Sequence, residues 1–363
     1  MKKTLINICG IAALSGIILT FGSCKSKEEK IAEAIELIKQ EKVAEALAIY
    51  EQLEEVQDTI LLNRLGEVYA KGKGVEQDSA KALDFFEKSA NLGNPNAQHI
   101  MGFAYEYGEG KAKDLKKAFE WYQKAAEQDL PAGLYRLGIC YIEGYGVDKN
   151  PDKAIELLKK AVEKGHVRAM VELGYDYQNG SGVIVNMEEA IKYFQMAAEK
   201  NDVYALNELG TIYAKGQGVE KDEKKAFEYN LKAAELGHDG AQYSVAFDYE
   251  DGIGTEKDGK KAVEWYLKAV NQGNVPAMCN LGFMYEKGDG VEQNWGKAAE
   301  MYKMAAEKGD AQAQHNLGWC YYHGEGVQKN LKEAAKWWQK AADQGNESAR
   351  KWLNTMALRN ELY

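Results

Sequence analysis

A glycine register with a period of 36 residues constrains this chain more than any other feature. Gly66, Gly102, Gly138, Gly174, Gly210, Gly282 and Gly318 stand at multiples of that interval, and Ala246 fills the one empty slot. A tyrosine follows three residues later in all eight units, from Tyr69 to Tyr321. A Gly-x-Gly turn comes next in each, from Gly72-Lys73-Gly74 to Gly324-Glu325-Gly326. At 363 residues the chain is long for a single core. A fixed period predicts instead a stack of like units, each burying its apolar face on the next.

Each repeated position has a mechanical reason. The first helix of a unit should stop at the paired glycines, where the chain needs left-handed backbone that a Cβ disfavours. The second should start at a residue whose side chain accepts from free first-turn amides. Asp78, Asp114, Asn150, Asn186, Asp222, Asp258, Asn294 and Asn330 occupy that place, and Pro151 is a first-turn proline. Along the second helix an alanine, from Ala82 to Ala334, is followed by large pairs such as Trp121-Tyr122, Trp265-Tyr266 and Trp337-Trp338. This small-large stripe has helical spacing, and the fold class it predicts is all-α.

The combined pattern of Ala, Leu-Gly, Tyr, Gly-x-Gly-Val, Asp/Asn, Ala, aromatic pair, Ala-Ala and Gly resembles the Sel-one-like repeat (SLR), a relative of the tetratricopeptide repeat. The resemblance covers residues 61–348 and recurs eight times in phase. It implies a right-handed α-solenoid of helix-turn-helix repeats and a scaffold role in contacting partners. Val245-Ala246 in place of Leu-Gly, Lys111 in place of Val and Asp129 in place of a closing Gly depart from the pattern.

The ends read differently. Met1-Lys2-Lys3 followed by an apolar run to Phe21 has the layout of a secretory signal, so residues 1–23 are set aside from the fold. Phe21-Gly22-Ser23-Cys24 resembles the lipobox at which bacterial lipoproteins are cleaved and acylated on the cysteine. That implies an envelope protein held at the outer membrane through lipid on Cys24 alone. Residues 24–30 are expected to be a polar tether, 31–60 a degenerate N-terminal capping hairpin, and 349–363 a C-terminal capping helix, since a solenoid must cover its terminal apolar faces.

Without residues 1–23 the chain has 44 basic against 56 acidic residues, a formal charge of −12, which disfavours nucleic acid. Cys140, Cys279 and Cys320 show no spacing that suits a metal or a disulfide, and the histidines complete no ligand set, so no cofactor or metal is expected. His166 and His238 open first helices and are read as caps. None of the glycine turns continues as a phosphate loop. Ser348-Ala349-Arg350-Lys351 fits the S-x-x-K of penicillin-binding hydrolases, but neither S-D-N nor K-T-G accompanies it. No catalytic residue is assigned.

The expected function is partner binding. Taking the packed alanine of the first helix as position 0, the arc opposite the repeated residues centres on positions +2, +3, +6, +9 and +10. It carries Phe103, Tyr135, Tyr175, Tyr243, Phe247, Phe283, His315, Trp319 and Tyr322. In superhelices of this kind the first helices line the concave side, so these residues are expected to hold a protein or peptide ligand on a monomeric chain. A cell-wall hydrolase and a carbohydrate-binding envelope protein are the rival readings.

Overall fold

The turn glycines take the backbone their spacing predicts, and the helices follow from them. In a computed structural model that describes residues 25–359, Gly144 has φ 77° and closes a first helix by donating its N–H to the Cys140 carbonyl. The signal segment, Cys24 and residues 360–363 lie outside the described residues. Two compact units divide the chain after Lys113.

The first unit contains α1 (Lys27–Lys39), α2 (Val43–Tyr50), α3 (Thr59–Lys71), α4 (Ser79–Asn91) and α5 (Pro95–Tyr107). Helix α1 begins inside the expected tether. Ser26 accepts from the Glu29 amide and the Glu29 carboxylate accepts from the Ser26 amide, a capping box that starts the helix at Lys27. Ala34, Ala46, Leu61 and Leu65 form the core where this hairpin meets α3. Lys111, the residue that breaks the Val pattern, donates to Glu87 on α4 at 2.9 Å.

The second unit contains α6 (Leu115–Glu127), α7 (Pro131–Glu143), α8 (Pro151–Glu163), α9 (Val167–Asn179), α10 (Met187–Glu199), α11 (Val203–Lys215) and α12 (Glu223–Glu235). It continues through α13 (Asp239–Asp251), α14 (Gly259–Asn271), α15 (Val275–Lys287), α16 (Trp295–Glu307), α17 (Ala311–His323), α18 (Leu331–Asp343) and α19 (Glu347–Leu358). Consecutive helices pack pairwise, and no strand occurs among the described residues.

Within a hairpin the repeated tyrosine and the cap act together. The Tyr141 carbonyl accepts from the Asn150 amide at 2.9 Å, and Asn150 Oδ1 accepts from the Lys153 amide at 3.1 Å. The register glycine lets the two helices approach. A Cβ added to Gly318 would stand 2.6 Å from the Trp338 indole, and one added to Gly282 would stand 2.7 Å from the Tyr302 ring. Small faces large, so Trp338, Tyr302, Tyr266 and Phe194 are completely buried, a burial worth about 1.5–3 kcal/mol for a large side chain.

The second turn glycine has a different purpose from the first. A Cβ on Gly290 or Gly326 would collide with the backbone of Gly259 or Trp295, the first residue of the second helix in the preceding hairpin. That glycine joins neighbouring hairpins. Buried glutamines add to the joint: Gln242 donates to the Ala234 carbonyl and Gln314 to the Ala306 carbonyl, both at 3.2 Å, satisfying helix-end carbonyls from the next hairpin.

His166 and His238 cap their helices through Nδ1, accepting from Ala169 and Ala241 amides at 3.2 and 3.0 Å. Cys140, Cys279 and Cys320 are all buried, and none is in a disulfide among the described residues. At the C-terminal end, Tyr322 of α17, Ala334 and Trp338 of α18, and Ala349 and Met356 of α19 form one core.

Candidate binding surface

The exposed arc of the first helices is narrower than the repeat pattern suggests. At about 100° per residue, position +9 lies at roughly 180°, next to the register glycine at about 140°. It faces the second helix of its own hairpin. Glu250 and Glu286, both at +9, accept from the Tyr266 and Tyr302 hydroxyls at 2.6 and 2.8 Å. In the last hairpin the +9 residue is Tyr322, which is therefore a core residue rather than a surface one: it is 6% exposed, its ring lies 5.5 Å from Trp338 and 5.3 Å from Trp352, and its hydroxyl accepts from Arg359. The free arc is left with +2, +3, +6 and +10.

The remaining predicted residues fall into separate places. Phe103 lies in the first unit, 4.4 Å from the Tyr107 ring and beside a recess of about 510 Å³ lined by Leu83, Phe86 and Ile100. Tyr135 and Tyr175 come together in the second unit, as described below. Tyr243 leans on Tyr266 at 6.0 Å and hydrogen-bonds Asn280. Phe247 and Phe283 are exposed, at 37% and 44%. The Lys287 ammonium sits 5.2 Å over the Phe283 ring. His315 is half-buried with a buried Nε2 that has no hydrogen-bond partner, while its carbonyl accepts from the Trp338 indole. Trp319 is half-buried, stacked 5.2 Å from Trp295 and 4.3 Å from His323.

A cleft of about 380 Å³ opens along α7, α9 and α11, lined by Tyr135, Arg168, Val171, Glu172, Tyr175, Asp202 and Tyr204. Tyr135 is held by stacking on His166 at 4.7 Å, and Tyr204 meets His238 edge-on at 5.4 Å. The cap histidines thus also set the orientation of cleft residues. Tyr175 packs edge-on against Phe194 and hydrogen-bonds Glu208. Burial and the neighbouring Glu208 push its phenol well above the usual range.

Two guanidiniums bear on the cleft, Arg168 in its lining and Arg136 5.9 Å over the Tyr135 ring, beside a set of carboxyl groups. Burial, reinforced by Glu143, raises the Glu172 carboxyl. One turn further along α9, burial reinforced by Glu172 pushes Asp176 up to about 7, and its Oδ2 is buried with no hydrogen-bond partner. Asp248, at the same repeat position on α13, is likewise pushed up to about 7 by burial and then by Glu223. Their slot is apolar elsewhere in the unit, as Cys140, Ile212, Met284 and Cys320. Arg168 is exposed, and with Arg136 it adds to the burial that lowers the His166 imidazole.

Tyr204, 60% exposed, is a cleft residue outside the predicted set. It stands one position before the packed Ala205, at about 260° around the helix and so on the same arc, but ahead of the position from which the arc was counted. Glu172 occupies the predicted +3 position but is not aromatic. Ser348 and Lys351 are both exposed on α19. No metal-binding cluster is present among the described residues.

The Sel1 repeat family model matches residues 61–94, 95–130, 131–166, 167–202, 203–238, 240–274, 275–310 and 311–346. Among solved structures, the c5321 protective antigen of uropathogenic Escherichia coli, which displays an SLR fold, is 30% identical with a TM-score of 0.78 over 90% of this chain and 67% of that one. A Sel1 repeat protein from Oxalobacter formigenes is 28% identical with a TM-score of 0.63, over 92% of this chain and 95% of that one. The curated proteins give no match.

Proposed function

The chain belongs to the Sel1 repeat family, and from that premise we propose that it is a bacterial envelope scaffold, lipid-anchored at Cys24, that holds a protein or peptide on the exposed arc of its first helices. One observation carries this reading. The positions that repeat in every hairpin are consumed by stacking, whereas Tyr204, Phe247 and Phe283 vary from hairpin to hairpin and stay exposed. Nothing in the packing requires a large aromatic at those places, and exposed aromatics beside charged groups are favoured at binding surfaces. The anchor is supported by the signal-like N-terminus and the lipobox-like run before Cys24. With α1 starting at Lys27, a lipid on that cysteine would hold the first hairpin close to the membrane.

Photoreactive phenylalanine placed at Tyr204 or Phe283 in the native envelope should capture the same protein, and the same group at Glu264, exposed on the second helix α14, should not. Equal capture from Glu264 would remove the first-helix face as the binding surface. Cys24→Ser should abolish metabolic labelling with palmitate; persistent labelling would remove the anchor.

A further inference from the structure

The cleft on α7, α9 and α11 has aromatic walls and acidic polar groups. Tyr135, Tyr175 and Tyr204 line it with Glu172 and Asp202, in a volume of about 380 Å³ that accommodates one long side chain with some of its backbone. Neither carboxylate is ion-paired among the described residues. Asp202 spends one oxygen on capping α11, accepting from Tyr204 and Ala205 amides at 3.1 and 2.9 Å, which leaves the other oxygen for a ligand. Glu143 adds negative charge close enough to raise the Glu172 carboxyl, while Asp176, pushed up to about 7, lies one turn along α9 outside the lining. Asp176 is 5% exposed and carries the unpartnered oxygen described above.

Charge complementarity selects the occupant. We propose that this cleft receives a basic side chain, an arginine guanidinium or a lysine ammonium, projecting from an extended peptide segment of the partner. The proposal rests on the reading of the first-helix face as the partner surface and names the chemistry that face selects. The Tyr175 and Tyr204 rings attract a cation, Glu172 and Asp202 accept its N–H groups, and partial burial makes both effects larger than in open water. A neutral or acidic side chain would leave the carboxylates crowded and desolvated. Arg168, the one cation in the lining, opposes the ligand and tunes its affinity downward.

The test uses acetyl-Gly-Arg-Gly-amide and its citrulline counterpart, which keeps the shape and hydrogen-bonding face of arginine without the charge, titrated into the full chain and followed by the ring resonances of labelled tyrosine. The arginine probe should bind about tenfold tighter than the citrulline probe and shift Tyr175 and Tyr204. Glu172→Gln should weaken it about fivefold or more, and Arg168→Gln should strengthen it, a sign that a merely structural role for the cleft would not produce. Equal binding of the two probes, no binding of either at millimolar concentration, or indifference to Glu172→Gln would overturn the proposal. If photocrosslinking from Phe283 still captures a partner in that event, the interaction face stands and only its preference for basic side chains falls; if that is lost as well, both fall.

Discussion

Two aromatic-rich regions of the second unit, alike in composition, are put to opposite uses. At the C-terminal end, Tyr322, Trp338 and Trp352 close on one another, with Trp338 and Trp352 stacked at 5.2 Å. In the cleft, Tyr135 and Tyr204 touch cap histidines at their edges and faces and still line open space. The difference is one of position on the helix. Tyr322 is turned toward its own second helix and closed in by Trp352 of α19, whereas Tyr135 and Tyr204 stand on the remaining arc and line open space. Aromatic content by itself therefore says little about binding in a stacked-hairpin protein; the angular position decides.

The largest effect that would break this comparison is at the C-terminal end. Trp338→Ala should cost about 3–5 kcal/mol, because it empties a completely buried site and leaves Tyr322 and Trp352 without their partner. Equilibrium denaturation in guanidinium reads this as a lower midpoint or a separate early transition of the last hairpins. A midpoint within error of the parent chain would show that the cluster is not a core.

Next comes the joint between hairpins. Gly326 and Gly309 both have positive φ, but only Gly326 faces a neighbouring backbone, while a Cβ on Gly309 would meet nothing within 4 Å. Gly309→Ala should cost about 1 kcal/mol from backbone conformation alone, and Gly326→Ala about 1–3 kcal/mol more from the collision. Equal losses in denaturation experiments would show that the second turn glycine answers only to its own φ angle.

A smaller effect concerns pH. Asp176 and Asp248 have folded-state values raised to about 7, above the usual unfolded value near about 4. Below about pH 4 both states are protonated and the groups cost nothing. Between about pH 4 and 7 the unfolded chain releases protons that the fold retains, so stability falls as pH rises. Replacing both by Asn should raise the denaturation midpoint at pH 8, by about 1–2 kcal/mol per group, with a gain that fades toward pH 4. A gain of equal size at both pH values would assign it to packing instead.

Much of this was legible in the sequence, for reasons specific to the residues. The caps from Asp78 to Asn330, the left-handed turn glycines and the small-large pairing each follow from local backbone chemistry repeated eight times. The packed end of Tyr322 was not legible, because its burial depends on α19 folding over the last hairpin and on the inward direction of position +9. The cleft was half legible. Tyr135, Tyr175 and Tyr204 all stand on the variable arc, but Tyr204 precedes the packed Ala205 and escapes a count that runs forward from it, and the burial of Asp176 in a slot that elsewhere holds Cys, Ile or Met is a property of packing. Helix α1 starts three residues earlier than the tether reading's end because Ser26 and Glu29 form a capping box that a charge-rich stretch conceals.

The smallest expected change in stability is also the most direct test of the account. Tyr204→Ala and Tyr322→Ala should be compared in one experiment, measuring the guanidinium midpoint and the affinity for the partner captured by crosslinking. Tyr204→Ala should leave the midpoint within about 0.5 kcal/mol and weaken binding by about 2 kcal/mol, while Tyr322→Ala should lower stability by about 3 kcal/mol or more. The opposite pattern, with Tyr204→Ala destabilising the fold and Tyr322→Ala sparing it but abolishing binding, would contradict the assignment of the two helix faces.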